Sequence, residues 1–303
     1  MDIFILLIQV ILAVLISPLL SGFIRKVKNS LRMRVGAPVL QPYYDIAKYM
    51  AKEEVVSETT SWIFRLAPFV VLGSMISALF LVPVFGTGIS LFSMGDVLVL
   101  FFILALGRFF LALASLDAGG AFGGMGSSRE MFISSLAEPV AIVALVVVGL
   151  RGGSLDLQNI QSNAAVSFSS FIAVGALFFV ILAETSRVPV DNQETHLELT
   201  MVHEAMLLEY SGPSLGLLSW AAHIKQFLLF SLVSLIILPV PFGWFGAPVF
   251  GFVFFAAKLA FIAVFVSFTE IALAKMRLFR VVDFMGFGLV LSFLAFVLYG
   301  SGY

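Results

Sequence analysis

Eight apolar runs recur along this chain, at about residues 3–24, 62–85, 97–116, 131–150, 166–182, 220–240, 245–268 and 284–299. Nothing constrains the fold more, because runs near ~20 residues match the hydrocarbon thickness of a bilayer when helical. Composition agrees: 61% of the 303 residues are hydrophobic and 12% are charged, with a mean hydropathy of +1.10. Soluble domains carry about 25% charged residues, so this chain has too little polar surface to face water all round. The alternating ten-residue strands of a membrane barrel are absent from the pattern. The predicted fold class is therefore all-α: one polytopic transmembrane domain over residues 1–303, with about eight transmembrane helices. Met1-Asp2 leads straight into the first run, with no basic n-region and no small-residue cleavage site, so that run reads as a first span and not a removed signal peptide.

Charge fixes the orientation. Arg25, Lys26, Lys28, Arg32, Arg34, Lys48, Lys52, Arg129, Arg187, Lys275, Arg277 and Arg280 fall in odd-numbered loops; even-numbered loops carry only Arg151. Basic loops stay cytoplasmic, which predicts both termini outside. The even loops are short and mostly apolar, so they offer little outer surface to partners. No internal repeat is evident, which weighs against a transporter built from inverted repeats. Cysteine is absent, excluding disulfides, thiolate nucleophiles and iron–sulfur ligation by this chain. The three His are too dispersed for a structural zinc site, and HEAML at His203 lacks the second His of HExxH, having Leu207 there.

Three loops carry chemistry beyond topology. The first is basic, and over residues 42–52 it sets Tyr44, Ile46 and Met50 against Asp45, Lys48 and Lys52, as in a short amphipathic helix on the membrane surface. A loop that only sets topology is the blander reading. The second, SLDAGGAFGGMGSSREM, is rich in Gly and Ala, which permit sharp turns or close approach. Ser127 and Glu130 in it fit a capping box opening the fourth span, set against a functional carboxylate. Glu138, two turns into that span and followed by Pro139, is a carboxylate at membrane depth, which by default marks a proton or ion path.

The third loop holds Glu184, Asp191, Glu194, Glu198, Glu204 and Glu209 against one cation, Arg187. As a continuous helix from Asp191 to Glu209, it would bring Asp191, Glu194, Glu198 and Glu209 within about 60° of one another, with His196 and His203 opposite. Clustered carboxylates near low dielectric suit a proton relay; a solvated acidic helix docking on a basic partner is the alternative. Further charges interrupt the spans: Arg108, Lys225, Lys258 and Glu270. Lys225 and Glu270 are placed to snorkel, whereas Arg108 and Lys258 call for a buried acid such as Glu138 or Glu184.

Together these loops resemble the subunit-1 family of respiratory complex I and its relatives, the energy-converting membrane-bound nickel–iron hydrogenases. E-T-S-R-V-P-V-D at Glu184–Asp191, followed by Glu194, Glu198 and E-Y-S-G at Glu209–Gly212, resembles the family's long E-T-x-R-x-P-x-D…E…E-Y-S-G signature. Arg129 and Glu138 match a family Arg and Glu at the same spacing. Arg34, Gly36, Gln41, Asp45 and Lys48 are similar to its first-loop pattern. A longer segment between Asp191 and Glu209, and the strings GGMGSSREM and THLELTMVHEAMLLEYSG, look like the hydrogenase-4 and formate hydrogenlyase membrane-subunit group.

The resemblance implies a membrane anchor and energy-coupling, proton-conducting subunit in the inner cell membrane. It implies no redox cofactor on this chain, a nickel–iron centre and iron–sulfur clusters in partner subunits, and leaves quinone open. Expected partners are hydrogenase large and small-type and iron–sulfur subunits on the cytoplasmic side, antiporter-like membrane subunits and lipid, but no nucleic acid. Glu138, Glu184, Asp191, Glu194, Glu198, Glu204 and Glu209 would form the proton path through a buried polar funnel. Arg34, Asp45, Lys48, Arg108, Arg129, Arg187, His196 and His203 would serve as charge partners and docking groups. A quinone-site subunit of a donor:quinone oxidoreductase and a stand-alone transporter or channel are the alternative readings.

Overall fold

The structure, a computed structural model, describes residues 2–83, 97–157, 167–192, 201–237 and 248–301, and among these no strand forms. Ten helices follow in order among the described residues: α1 (Asp2–Leu31), α2 (Gln41–Met50), α3 (Trp62–Leu81), α4 (Val97–Asp117), α5 (Ala121–Gly152), α6 (Phe168–Glu184), α7 (His203–Leu207), α8 (Gly212–Ile237), α9 (Pro248–Ala272) and α10 (Leu278–Gly300). Seven of them, α1, α3, α4, α5, α8, α9 and α10, are long and apolar enough to cross a membrane. The remaining apolar helix, α6, has 17 residues, about 25 Å. The multi-pass, all-helical fold is thus as predicted. Exposed faces such as Phe252, Phe261, Phe265 and Phe268 on α9 suit lipid contact.

α5 is the central helix. It packs against α4, α6, α7 and α10, while α1, α3 and α9 gather around α8. α3 and α6 begin at serine caps: Ser61 accepts from the Ile63 N–H and Ser167 from the Ser170 N–H. α5 ends at Gly153, whose φ of 75° gives the left-handed cap that glycine adopts without strain.

Several boundaries differ from the sequence expectation. α1 continues past Ile24 to Leu31, so Arg25, Lys26 and Lys28 sit on helix and not in loop. α5 begins at Ala121, so the Gly-rich stretch is helical and Ser127–Glu130 is not a capping box. Ser127 instead donates to the Gly123 and Gly124 carbonyls within the helix. The small residues serve close packing: a Cβ on Gly126 would lie 2.9 Å from both Ala205 Cβ and the Val202 carbonyl oxygen of the α7 segment. The expected continuous helix from Asp191 to Glu209 does not form. Asp191 and Asn192 are non-helical and only α7 is helical near the other end. Glu194, His196 and Glu198 lie outside the described residues. The amphipathic helix of the first loop is present as α2.

The odd-numbered loops converge at one end of the bundle and are laced together there. Asp117, closing α4, accepts from the Ser61 N–H at 2.7 Å, and Thr59 donates to the Ala118 carbonyl. Ser211 accepts from the Val55 N–H and donates to its carbonyl. Tyr210 stacks on Phe64 with ring centroids 4.0 Å apart and donates its hydroxyl to the Phe64 carbonyl at 3.0 Å. Burial pushes the Tyr210 phenol up, with Asp117 and Glu54 adding to the shift, so it remains a donor across the physiological range. Tyr210→Phe should keep the stack and cost about 1 kcal/mol. Tyr210→Ala should cost about 3–5 kcal/mol. Thermal unfolding midpoints of the detergent-solubilised protein check both.

Candidate coupling site: a buried ion-pair cluster at the head of a cavity

Arg108 lies nine residues before the end of α4, about 13 Å along the helix from Asp117. A guanidinium at that depth needs acceptors from its neighbours, and three helices converge on it. Its Nη1 donates to Glu138 Oε1 of α5. Its Nη2 reaches both Glu184 oxygens, at the end of α6, at 2.9 and 2.8 Å. Lys225 of α8 lies 2.7 Å from Glu184 Oε2. Glu138 and Glu184, the two acids suggested for Arg108 by its burial, both bind it. Lys225, expected to snorkel, instead closes the cluster.

A cavity of about 410 Å³ leads to this cluster. One end of its lining is the inner face of α2, where Pro42, Asp45, Ile46 and Tyr49 follow helical spacing. Its walls run along α3 and α8, reaching Met75 and Gln226, about 20 Å into the bundle. Its head is formed by Arg108, Glu130, Glu184 and Lys225. Glu138 is not part of the wall; it stands behind Arg108, with 31% of its side chain exposed.

A second polar network borders the same cavity. Arg187 Nη1 donates to Glu270 Oε1 at 2.7 Å, and Lys28 of α1 lies 2.7 Å from Glu270 Oε2. Glu270 thus pairs inward and does not snorkel. Arg187 Nη2 and Ser21 Oγ both donate to Gln226 Oε1, at 3.1 and 2.8 Å. Since the Ser21 proton is used there, the 2.8 Å contact between Ser21 Oγ and His223 assigns the proton to His223 Nδ1. Gln226 Nε2 and Arg187 Nε are buried without an acceptor among the described residues.

The other predicted residues divide clearly. Asp45, Arg187, His203 and Glu204 line the cavity, and Asp45 lies 3.7 Å from Arg25. Asp191 is buried outside the cavity wall, accepting from Lys275 Nζ at 2.6 Å and from the Val202 and His203 N–H groups. Arg129 donates to the Met201 carbonyl at 3.0 Å and so holds backbone, not a carboxylate. Glu209 is exposed beside Gly120, away from the cavity. Arg34 and Lys48 are exposed. Lys258 donates to the Ser234 carbonyl at 2.9 Å, with its ammonium 5.3 Å from the Phe254 ring.

Sequence reasoning left Ser21, Lys28, His223, Lys225, Gln226 and Glu270 out of the site. The signal was present in α8, where His223, Lys225 and Gln226 interrupt an otherwise apolar helix. Breaking a buried pair leaves an uncompensated charge at a cost of about 3–5 kcal/mol. Arg108→Gln should therefore sharply lower the thermal midpoint and the yield of folded protein. The exposed Lys48→Gln should stay within about 0.5 kcal/mol of wild type.

Comparison with known proteins agrees with this architecture. The NADH dehydrogenase family matches residues 3–300. Formate hydrogenlyase subunit 4 of Escherichia coli (strain K12) is 31% identical over 303 residues, covering 96% of both chains. Hydrogenase-4 component C of the same organism is 32% identical, covering 97% of this chain and 95% of its own. A solved chain of the membrane-bound sulfane sulfur reductase, an archaeal respiratory membrane complex, shares the fold at a TM-score of 0.84 and 19% identity, covering 98% of this chain and 99% of its own. With near-complete coverage by the family and by both Escherichia coli relatives, this chain belongs to the NADH dehydrogenase family, as a multi-pass membrane subunit related to those of formate hydrogenlyase and hydrogenase-4.

Proposed function

We propose that this chain anchors a formate hydrogenlyase- or hydrogenase-4-type complex in the inner cell membrane and couples its redox chemistry to ion movement. The carrying observation is a cavity lined from α2, at the laced, basic end of the bundle, to Arg108, Glu184 and Lys225, with Glu138 bound to Arg108 behind the wall. In this reading the basic end is cytoplasmic, both termini are outside, and hydrogenase and iron–sulfur subunits dock on the first, third and fifth loops. The nickel–iron and iron–sulfur centres belong to those subunits, since this chain has no cysteine thiolate to offer. Antiporter-like subunits alongside take up the ion step. Chemistry in the docked arm shifts the loop carrying Arg187 and Asp191, and this alters the hold of Arg108 and Lys225 on Glu184 at the adjoining end of α6. Protons entering from the cavity then pass Arg108 to Glu138, which lies on its far side.

A second reading, binding of a quinone headgroup, draws on one feature. The donors Gln226 Nε2 and Arg187 Nε belong to wall residues and lack acceptors among the described residues, while Met75, Leu104 and Leu218 supply apolar wall. Such a wall fits a molecule with carbonyl oxygens. Protection of the complex from a photoreactive quinone analogue by excess quinone would favour it.

Glu138→Gln and Glu184→Gln, each with assembly confirmed, should lower proton movement per turnover in proteoliposomes. Unchanged coupling in both variants would sink the proton-path role.

A further inference from the structure

Of the seven helices long and apolar enough to cross a membrane, α10 is the least covered: 28% of its apolar stretch is buried, against 39–72% in the other six. It buries Val281, Met285, Gly288, Ser292 and Ala295, packing on α5 and α6. Those steps of four and three make one narrow seam of a heptad pattern. A second seam runs along the opposite side. There the exposed residues Asp283, Gly286, Val290, Phe293 and Val297 repeat steps of three and four and fall within about 80° of one another.

Asp283 sets this second seam apart. Among the described residues it is the one carboxylate exposed on the side of a spanning helix. It lies five residues after Leu278, so with the hydrocarbon layer centred on α10 it sits about 6 Å inside the edge. No ion pair or hydrogen bond reaches its carboxylate from the described residues, and Arg277 and Arg280, its nearest cations in sequence, are exposed at the basic end. Long Lys and Arg stems reach water from such a depth, but an Asp has a single methylene. Charged groups within spans face a bundle interior or a partner, because lipid tails offer them nothing. Beside Asp283, a Cβ on Gly286 would meet nothing within 4 Å, which leaves room for a side chain from outside. The exposed face of α9 differs: Val253, Phe261, Val264 and Phe268 stand there with no charge among them, a surface that lipid covers without electrostatic cost.

We propose, resting on the reading of this chain as one subunit of a membrane complex, that the exposed seam of α10 docks a membrane-spanning helix of a neighbouring subunit, one that carries a Lys or Arg to pair with Asp283. A second copy of this chain does not fit the same face. Symmetric pairing of α10 with α10 sets Asp283 against Asp283, and juxtaposed like charges suppress such a partner. An incoming helix packs on Val290, Phe293 and Val297 and approaches closely at Gly286. The ion pair then fixes its register and direction, as a single polar position does in a coiled coil.

The test is photo-crosslinking of the whole complex in membranes, with p-benzoyl-phenylalanine in place of Val290 or Phe293. An adduct with the same membrane subunit from both positions is expected. Adducts with lipid alone, adducts with a second copy of this chain, or no adduct overturn the docking face. Asp283→Lys should then cause a several-fold loss of that subunit on purification, and replacing its facing cation by Glu should restore it. Retention equal to wild type in Asp283→Lys overturns the ion pair. Should Asp283→Lys keep this chain from accumulating, Asp283→Asn replaces it with the same two outcomes. Redox subunits that co-purify with no adduct at α10 remove this face alone and leave the complex standing. A chain that purifies without any other subunit removes both.

Discussion

A guanidinium buried about 13 Å down a membrane helix cannot be left to lipid, and the arrangement of four helices follows from how Arg108 is satisfied. Between helices in a bilayer there is no hydrophobic drive to choose one packing over another, so small residues and polar contacts choose it. Here Arg108 fixes α4 against α5 through Glu138 and against α6 through Glu184, and Lys225 brings in α8. Buried ion pairs of this kind add little net stability, because desolvation consumes most of the Coulombic gain. What they penalise heavily is any register in which one partner is missing.

The Glu184–Asp191 segment gains a physical reading from its partners. All eight residues are buried, and its three charged side chains alternate in sign along the chain. Glu184 binds Arg108 and Lys225, Arg187 binds Glu270, and Asp191 binds Lys275. A backbone bond from the Met276 N–H to the Pro189 carbonyl at 2.8 Å adds to the clamp. One short stretch of chain is therefore anchored at once to the cavity head, to the α1–α9 pair and to the connection between α9 and α10. A push on this loop from a docked partner reaches Arg108 through a single covalent segment. The E-Y-S-G stretch works differently: Tyr210 and Ser211 lace loops together, and Glu209 stays exposed.

Much of the fold was legible because hydropathy and loop charge are linear signals. Apolar runs marked the spans, and one-sided Arg and Lys marked the end where the loops gather. Helix boundaries were less legible. In sequence the glycines at 123, 124 and 126 suggest a loop permitting sharp turns or close approach; the stretch is helix, and Gly123 lies against the Ser115 backbone of α4 and Gly126 against the α7 segment. The site was half legible. Arg108 and Glu138 stood out as charges at membrane depth and Glu184 as an acid of the adjoining loop, but which acid met which base depended on helix rotation, which sequence spacing does not supply. Glu270 and Lys225 were read as interfacial because they sit near span ends, and only their inward rotamers show them pairing. Asp191 was grouped with a helical acidic face, whereas its oxygens accept from the Val202 and His203 N–H groups and from Lys275.

The central claim is a cavity that runs from α2, at the basic end of the bundle, to Arg108 and Lys225. The absence of cysteine from the chain makes this directly measurable with a single introduced thiol at Ser219, a half-buried wall residue of α8. Ser219→Cys is exposed to a small, charged, membrane-impermeant thiol reagent in inverted vesicles and in right-side-out spheroplasts. The account predicts modification in inverted vesicles alone. Equal modification from the outer side, or none from either, would contradict it.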